Sequence, residues 1–245
     1  SDIEPMAVEI ARLRAWLSLV VEDRGGHIDP LPNLDFKFVC ANSLLPLHEH
    51  SGLFSDSTLL PRMQEIRAAY FEARRADDKA RLQERYTSLM AEGGEIEDEM
   101  RTRQIRTFNP FGAAEPSQFF DVETMFGLDG FDIVLGNPPY IGESGHKGLF
   151  TAVKGTSFGR RFYAGKMDYF YFFVHLGLDV LKPRGVLAFI TTNYFVTATA
   201  ARKLRDDLRS RADLLELINF NEMRIFDSAS GQHNMITVLE KGHSG

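Results

Sequence analysis

The stretch FDIVLGNPPY, residues 131–140, constrains this chain more than any other part of it. Phe131 and the aliphatic residues that follow form a short apolar run, which is typical of a parallel strand buried on both faces. Two consecutive prolines after Gly136 fix φ and remove two backbone donors, so this turn has carbonyls free to accept hydrogen bonds. Rigid turns at the carboxyl ends of strands bind ligands in open α/β sheets. The stretch therefore predicts an α/β fold with a site at one edge of its sheet.

The four residues after this strand suit a planar group that carries an NH₂. Asn137 offers a side-chain acceptor, Pro138 offers its carbonyl, and Tyr140 offers an aromatic face for stacking. Two acceptors aimed at an amine pull its hydrogens out of the ring plane and localise the nitrogen lone pair, which can then attack an electrophilic methyl group. A simple strand-ending turn is the alternative, but the complete NPPY sequence directly after FDIVLG favours the catalytic interpretation.

FDIVLGNPPY resembles the catalytic motif of amino-methyltransferases that use S-adenosylmethionine. Over nearly its whole length, the chain is similar to the N6-adenine DNA methyltransferase region of type IIG restriction–modification enzymes and related phage-defence methylases. The resemblance implies a Rossmann-like α/β fold, mostly parallel, with one antiparallel strand near the C-terminus. It implies methyl transfer from S-adenosylmethionine to an adenine flipped out of double-stranded DNA. The catalytic residues would be Asn137, Pro138, Pro139 and Tyr140.

The start of the chain matches the end of the family's second strand. The acidic residue that binds the ribose hydroxyls of the cofactor matches Asp2, with Glu4 as the alternative. A helix follows over Met6–Val20, so acids favoured by the helix dipole are the competing interpretation. Its apolar stripe is predicted from Val8, Leu13, Trp16, Leu17 and Val20. The family's glycine-rich motif and first strand lie upstream of this acid, so we expect a fragment of a longer polypeptide whose sheet lacks its N-terminal strand.

Two further cofactor contacts follow from the resemblance. Asn42, after a strand predicted over Asp35–Ala41, matches the residue that contacts the adenine of the cofactor. Asp121 competes for this role, because some relatives have an Asp closer to the catalytic motif. Asp168 opens a strongly apolar helix and matches an acidic residue that lies near the cofactor.

DNA contacts are predicted in two segments. Phe226 matches an aromatic residue that stacks on the target base opposite Tyr140, and a core phenylalanine is the alternative. Residues 141–165 read as a long loop that leaves the catalytic turn, and such loops are usually functional. Its basic residues would lie near phosphates, unless this is an ordinary surface loop; they are Lys147, Lys154, Arg160 and Arg161.

The range of about 55–106 differs in character from its surroundings. It is rich in charged residues of both signs, with apolar residues at helical spacing. This pattern predicts a solvated helical insertion within one partial methyltransferase domain that covers residues 1–245. Such an insertion is also a feature of the type IIG relatives.

Composition limits the class of protein. Apolar content is 44%, there is a single cysteine, and no run of about 18 apolar residues suggests a membrane span. These features indicate a cytoplasmic protein without a membrane partner, and the family resemblance implies that it is of bacterial type. We identify no metal site, because His48 and His50 lack further ligands at suitable spacing.

The net charge of −6 is low for a protein that binds DNA by itself, since phosphate contacts require Lys and Arg. We therefore expect the rest of the parent polypeptide to supply the upstream cofactor motif and a downstream target-recognition domain. Two alternatives stay open. NPPY also occurs in enzymes that methylate a glutamine side chain, and a fragment of this kind could be a non-catalytic DNA-binding or interaction module.

Overall fold

A computed structural model describes residues 1–22, 34–49, 59–92, 100–112, 114–223, 225–226 and 233–242. The chain divides into two compact units, Ser1–Gly127 and Leu128–Gly245. The helices of the first unit are α1 (Pro5–Glu22), α2 (Leu59–Glu72), α3 (Ala76–Ala91), α4 (Met100–Arg106) and α5 (Val122–Phe126). The second unit contains β1 (Phe131–Gly136), α6 (Lys147–Lys154), α7 (Ser157–Phe162), α8 (Phe170–Val180), β2 (Leu181–Thr192), α9 (Arg202–Arg211), β3 (Ala212–Asn219) and β4 (Asn234–Lys241).

The second unit is built on a four-stranded sheet in the order β1-β2-β4-β3. β1 pairs with β2 in parallel, with Val134 opposite Leu187. β4 lies between β2 and β3 and runs antiparallel to both. Three strands therefore share one direction and only the C-terminal one opposes them among the described strands. This confirms the predicted α/β fold of the methyltransferase type, with its single antiparallel strand near the C-terminus.

Helices α8 and α9 cover one face of this sheet. Side chains that alternate along β2, such as Leu187 and Phe189, point to this face and are buried. They line a small apolar cavity together with Phe170 and Val174 from α8 and Leu204 from α9. The buried, Phe-rich side of α8 explains why the apolar segment after Lys166 is a core helix.

The position of β1 differs from the sequence prediction. An apolar run of this kind predicts a strand covered on both faces, but Ile133 is 63% exposed and Leu135 is 74% exposed. Within the described residues, β1 pairs with β2 alone and is an edge strand. The residue pattern of a strand indicates how apolar the strand is. Whether the strand is central or at the edge depends on the strands and helices that pack around it.

The core of the first unit is aromatic. Phe36 contacts Tyr70, Tyr86 and Phe111 edge to face, with ring centroids 5.3–5.9 Å apart. Within the range 55–106, the described residues form α2, α3 and α4, and α2 packs on α3. These helices bury one side, including Met63. The charged residues are thus on the solvated side of a helix pair that has a real core.

The strand predicted over Asp35–Ala41 is wrong for most of its length. Residues 35–38 form a turn and a bend, and Phe36 has φ of 61°, the left-handed region. Only the last two residues, Cys40 and Ala41, make bridges to neighbouring segments. The Phe36 side chain is buried because this turn directs it into the aromatic core, and a straight strand would not do so.

Helix α1 also departs from its predicted stripe. Val8 is buried and Trp16 is half-buried, but Leu13 and Leu17 are 54% and 45% exposed. The side chain of Val20 lies outside the described residues. In the described parts of the chain, no helix is long and apolar enough to cross a membrane.

A buried charge network joins α8 to α9. His175, 1% exposed, makes a 2.7 Å hydrogen bond through Nδ1 to Asp207, and its ring stacks on Phe162 with centroids 4.0 Å apart. Arg211 pairs with both Asp207 and Asp179. Burial acts to raise the pKa of Asp207, but hydrogen bonds from His175 and Arg211 outweigh it and lower that pKa to about 2.

We expect Asp207→Asn to lower the free energy of unfolding by roughly 2 to 3 kcal/mol. This is less than the 3–5 kcal/mol of a fully buried broken pair, because Arg211 retains Asp179. Urea denaturation at pH 7 measures the change. The contribution of Asp207 should persist at pH values above its unfolded pKa of about 3.9 and disappear as pH falls through about 2.

The neighbouring exposed pair provides the control. Asp206 contacts Arg202 and Arg209, and all three side chains are more than half exposed. Asp206→Asn should change the free energy of unfolding by less than about 1 kcal/mol. Equal losses from the two substitutions would contradict the structural role assigned to Asp207.

Candidate active site at the carboxyl edge of the sheet

Polar segments from four strands meet at one edge of the sheet in the second unit. β1, β2 and β3 end there, and the antiparallel strand β4 begins there. The turn 137–140 follows β1, and Asn193 follows β2. The backbone N–H of Asn193 donates to the carbonyl of His233, just before β4 (2.8 Å). This edge is where open α/β sheets place their ligands.

The turn begins with a close approach between β1 and β2. A Cβ atom on Gly136 would lie 2.8 Å from the ring of Phe189. Any larger residue would push the end of β1 away from the buried ring. Glycine therefore lets the chain enter the turn directly above the core, with Pro138 buried and Asn137 exposed.

Tyr140 is fixed by two hydrogen-bond acceptors. Its hydroxyl lies 2.8 Å from Oδ1 of Asn137 and 3.0 Å from the carbonyl oxygen of Ile190 in β2. The ring meets Phe170 edge to face, with centroids 6.3 Å apart. Burial raises the pKa of Tyr140, and the adjacent amide of Asn234 partly opposes this. The residue is thus a neutral phenol whose ring position is set by the core and whose single proton has two possible acceptors.

Asp168 lies beside the segment that leaves the turn. Gly142 forms an antiparallel bridge with Asp168, and the N–H of Tyr169 donates to the carbonyl of Ile141 (2.7 Å). Burial raises the pKa of the Asp168 carboxyl, and a hydrogen bond from Tyr171 opposes that rise. The structure therefore brings Asp168 to a segment that begins directly after Tyr140.

Glu143 holds this pairing together, and no sequence pattern indicated its role. Its carboxylate, 13% exposed, accepts hydrogen bonds from the Tyr163 hydroxyl (2.8 Å) and from the backbone N–H of Lys166 (2.8 Å). Lys154 lies 3.4 Å away and also sits over the Tyr163 ring. Burial acts to raise the pKa of Glu143, but these three partners lower it overall. A lone Glu after a catalytic motif has no spacing or neighbour that would reveal such a contact.

The segment between Gly142 and Asp168 is not the unstructured loop that was predicted over residues 141–165. It contains α6 and α7, and glycine at position 159 lets α7 approach the backbone of Val153. Lys154 is engaged by Glu143, and Arg161 lies over the ring of Phe162 at 4.5 Å. Lys147 is exposed, and Arg160 donates to the carbonyl of Gly155 (2.6 Å). DNA contact by these four basic residues remains a prediction.

The first unit brings two predicted cofactor residues together. Asp2 pairs in parallel with Cys40, and Ala41 pairs in parallel with Ser117. Asp2 and Asn42 are therefore at the ends of adjacent segments that point the same way. Oδ1 of Asp2 accepts from the N–H of Glu4 (2.9 Å), and Oδ1 of Asn42 accepts from the N–H of Leu44 (3.3 Å).

The donor chemistry of this pair fits S-adenosylmethionine. A carboxylate accepts from a diol, and an amide can both donate to and accept from an adenine edge. Asp2 is exposed and keeps a second carboxylate oxygen, while Asn42 is half-buried beside it. Asp121, the competing residue, caps α5 by accepting from the N–H of Thr124 (2.7 Å), which gives it a structural role. Glu4 is exposed just before α1.

Phe226 is half-buried, and positions 224 and 227–232 beside it lie outside the described residues. Its stacking on a target base therefore stays a prediction. Of the residues predicted to act, the structure gathers Asn137, Pro138, Pro139, Tyr140 and Asp168 in the second unit, and Asp2, Glu4 and Asn42 in the first.

The chain is similar in sequence to restriction–modification methylases. The sequence model of one family, described as Eco57I restriction-modification methylase, matches residues 1–226. The chain is 23% identical over 148 residues to the type II restriction enzyme and methyltransferase RM.Eco57I of Escherichia coli, covering 60% of this chain. It is 31% identical over 108 residues to the type II methyltransferase M.HincII of Haemophilus influenzae, covering 44% of this chain. The matches span 13% and 22% of those two relatives, so the chain corresponds to a small part of each.

We expect Glu143→Ala to loosen the paired segment without unfolding α8. The substitution removes the acceptor for Tyr163 and for the backbone of Lys166. Hydrogen–deuterium exchange should show amides 166–169 exchanging faster by an order of magnitude or more. Lys147→Ala, an exposed change in the segment between Gly142 and Asp168, should leave these amides unaffected. Unaltered protection in the Glu143→Ala protein would show that Glu143 does not hold the segment.

Proposed function

Because the chain belongs to the Eco57I restriction-modification methylase family, we propose that it carries the methyl-transfer centre of a site-specific DNA methyltransferase that modifies N6 of adenine. The cofactor is S-adenosylmethionine. The observation that carries the proposal is the placement of Asn137 and Pro138 at the carboxyl edge of the sheet, with Tyr140 fixed beside them. This arrangement has the acceptors and the aromatic face that an exocyclic amine on a planar base requires.

The turn supplies two acceptors for the target amine. Oδ1 of Asn137 has two lone pairs, and the exposed side chain can reach a base at the edge of the sheet. The carbonyl of Pro138 provides the second acceptor, since the prolines hold the turn rigid. Two hydrogen bonds in this geometry orient the amine lone pair toward the incoming methyl group. No strong general base is required, because the nitrogen readily loses a proton after methylation.

The cofactor, when bound, supplies an electrophilic methyl group on a good leaving group. Asp2 is proposed to hold its ribose hydroxyls and Asn42 its adenine, since the two residues lie at the ends of adjacent segments of the first unit. The cofactor contact of Asp168 stays a prediction from the family resemblance. These residues contribute by positioning, which accounts for much of the rate in a reaction with an already reactive donor. The protein therefore has to align two reactants rather than activate either one strongly.

The adenine must leave the DNA stack before its amine can reach Asn137. Flipping a base costs a few kcal/mol, and base–aromatic stacking returns about 1–3 kcal/mol per base. Tyr140 presents one aromatic face, and we propose Phe226 for the other. The Tyr140 ring is already held against Phe170, so little further ordering is needed when the base arrives.

Double-stranded DNA is the proposed partner, and the remainder of the natural polypeptide is expected to supply much of its affinity. The chain carries a net charge of −6, so its own long-range field does not favour phosphate binding. The local residues proposed to contact the DNA backbone near the flipped base are basic side chains of α6 and α7, namely Lys147, Lys154, Arg160 and Arg161.

We expect Asn137→Ala in the natural full-length protein to reduce the methylation rate by at least about 100-fold, which is typical of losing one positioned polar group. The dissociation constant for S-adenosylmethionine should change little, because Asn137 is proposed to contact the amine. Single-turnover methylation and calorimetry measure these two quantities. Asn193→Ala is the control, since Asn193 lies at the same edge and bonds to Asn219 (3.3 Å). Substantial residual activity in the Asn137→Ala protein would remove Asn137 from the mechanism.

The acceptor is identified by product analysis. Digestion of methylated DNA to nucleosides should yield N6-methyladenine, as measured by mass spectrometry. If only the exocyclic amine of cytosine is methylated, the proposed methyl-transfer centre stands, but its target base is cytosine and not adenine. If DNA stays unmodified while a protein glutamine side chain is methylated, the DNA assignment is wrong.

A further inference from the structure

Asn234 is a buried polar residue near the turn 137–140, and its side chain has no hydrogen-bond partner within the described residues. It is the first residue of β4 and lies opposite Thr192 in the pairing with β2. Its exposure is 0%, and neither atom of its amide has a hydrogen-bond partner in the described part of the chain. An unpaired buried amide destabilises a fold, so its presence at this position requires an explanation.

The surroundings of Asn234 suggest that explanation. The pairing of Thr192 with Asn234 and of Ile190 with Ile236 puts Asn234 near the end of β2, where the Ile190 carbonyl meets the Tyr140 hydroxyl. Burial raises the pKa of the Tyr140 hydroxyl, and the side-chain amide of Asn234 opposes that rise, although the two groups make no hydrogen bond in the structure.

The Tyr140 hydroxyl has one proton and two acceptors. When the proton points to Asn137, it occupies one lone pair of the oxygen that the target amine needs. When it points to the carbonyl of Ile190, the oxygen of Asn137 is left with both lone pairs. Two hydrogens competing for Asn137 would weaken its hold on the amine. The centre therefore benefits from a group that fixes the direction of this proton.

We propose that Asn234 is a positioning residue of the methylation centre: its amide N–H donates to the Tyr140 hydroxyl oxygen, so that the Tyr140 proton goes to Ile190 and Asn137 is left for the amine. This rests on the proposed function, because it assigns Asn137 to the amine. The Asn234 amide is unpaired in the free protein, and it forms its hydrogen bond to Tyr140 only when the target base is bound.

The test compares Asn234→Leu with the parent in the natural full-length protein. Leucine has a similar volume and removes an unpaired buried amide, so the thermal midpoint should stay the same or rise. The single-turnover methylation rate should fall roughly tenfold, the amount expected for one neutral hydrogen bond. A purely structural asparagine would give the opposite pattern, in which stability is lost first.

A second substitution gives the decisive comparison. Tyr140→Phe removes the competing proton and keeps the stacking ring, so it should restore the rate in the Asn234→Leu background to that of Tyr140→Phe alone. A structural defect would not be rescued by removing a hydroxyl from another residue. Double-mutant analysis of these four proteins measures the coupling.

Thr237→Val provides the matched control. Thr237 is also buried on β4 with an unpartnered hydroxyl among the described residues, but it lines the apolar cavity under α8. This variant should match Asn234→Leu in stability and keep the parental rate.

Three outcomes overturn the inference. The first is methylation by Asn234→Leu at the parental rate. The second is a loss of rate that is the same in the Tyr140→Phe background as in the parent. The third is a fall in the thermal midpoint of Asn234→Leu with no rescue of its rate by Tyr140→Phe. A parent protein that methylates no DNA instead overturns the proposed function.

Discussion

The parallel pairing of β1 with β2 is the constraint on which the candidate site depends. It sets the end of β1 over the ring of Phe189, and only a glycine at position 136 permits this approach. The same pairing puts the carbonyl of Ile190 within 3.0 Å of the Tyr140 hydroxyl. Both strands end at the same edge of the sheet. The turn 137–140 is therefore held in a fixed position against the core.

Around this pairing, polar residues of the second unit fix the relative positions of helices and segments. Hydrophobic packing alone would let these elements slide against one another. Glu143 ties the segment after the turn to the segment before α8, and the network of His175 with Asp207 and Arg211 ties α8 to α9. Hydrogen bonds have directions, whereas apolar contacts tolerate sliding. The Tyr140 hydroxyl is oriented in the same way, by Asn137 and the carbonyl of Ile190.

Much of the fold was predictable, because its signals are local. The apolar helix after Lys166 follows from its residue pattern, and the antiparallel C-terminal strand was implied by the family resemblance. Predictions failed where one pattern is compatible with two environments. The apolar residues of β1 suit a central strand or an edge strand, and Leu13 of α1 suits a buried or an exposed stripe. The segment 35–41 has strand-like composition, but Phe36 turns inward to join an aromatic cluster formed by distant residues.

The sequence by itself determined which functional groups the candidate site offers. The residue types of NPPY define two acceptors and an aromatic face, and their order after an apolar strand puts them at a strand end. The tertiary structure decided which other groups meet them. Glu143, the carbonyl of Ile190 and the buried amide of Asn234 carry no recognisable motif, since each acts through a partner that is distant in the chain or belongs to the backbone. Such contacts exist only after β1, β2 and β4 have paired.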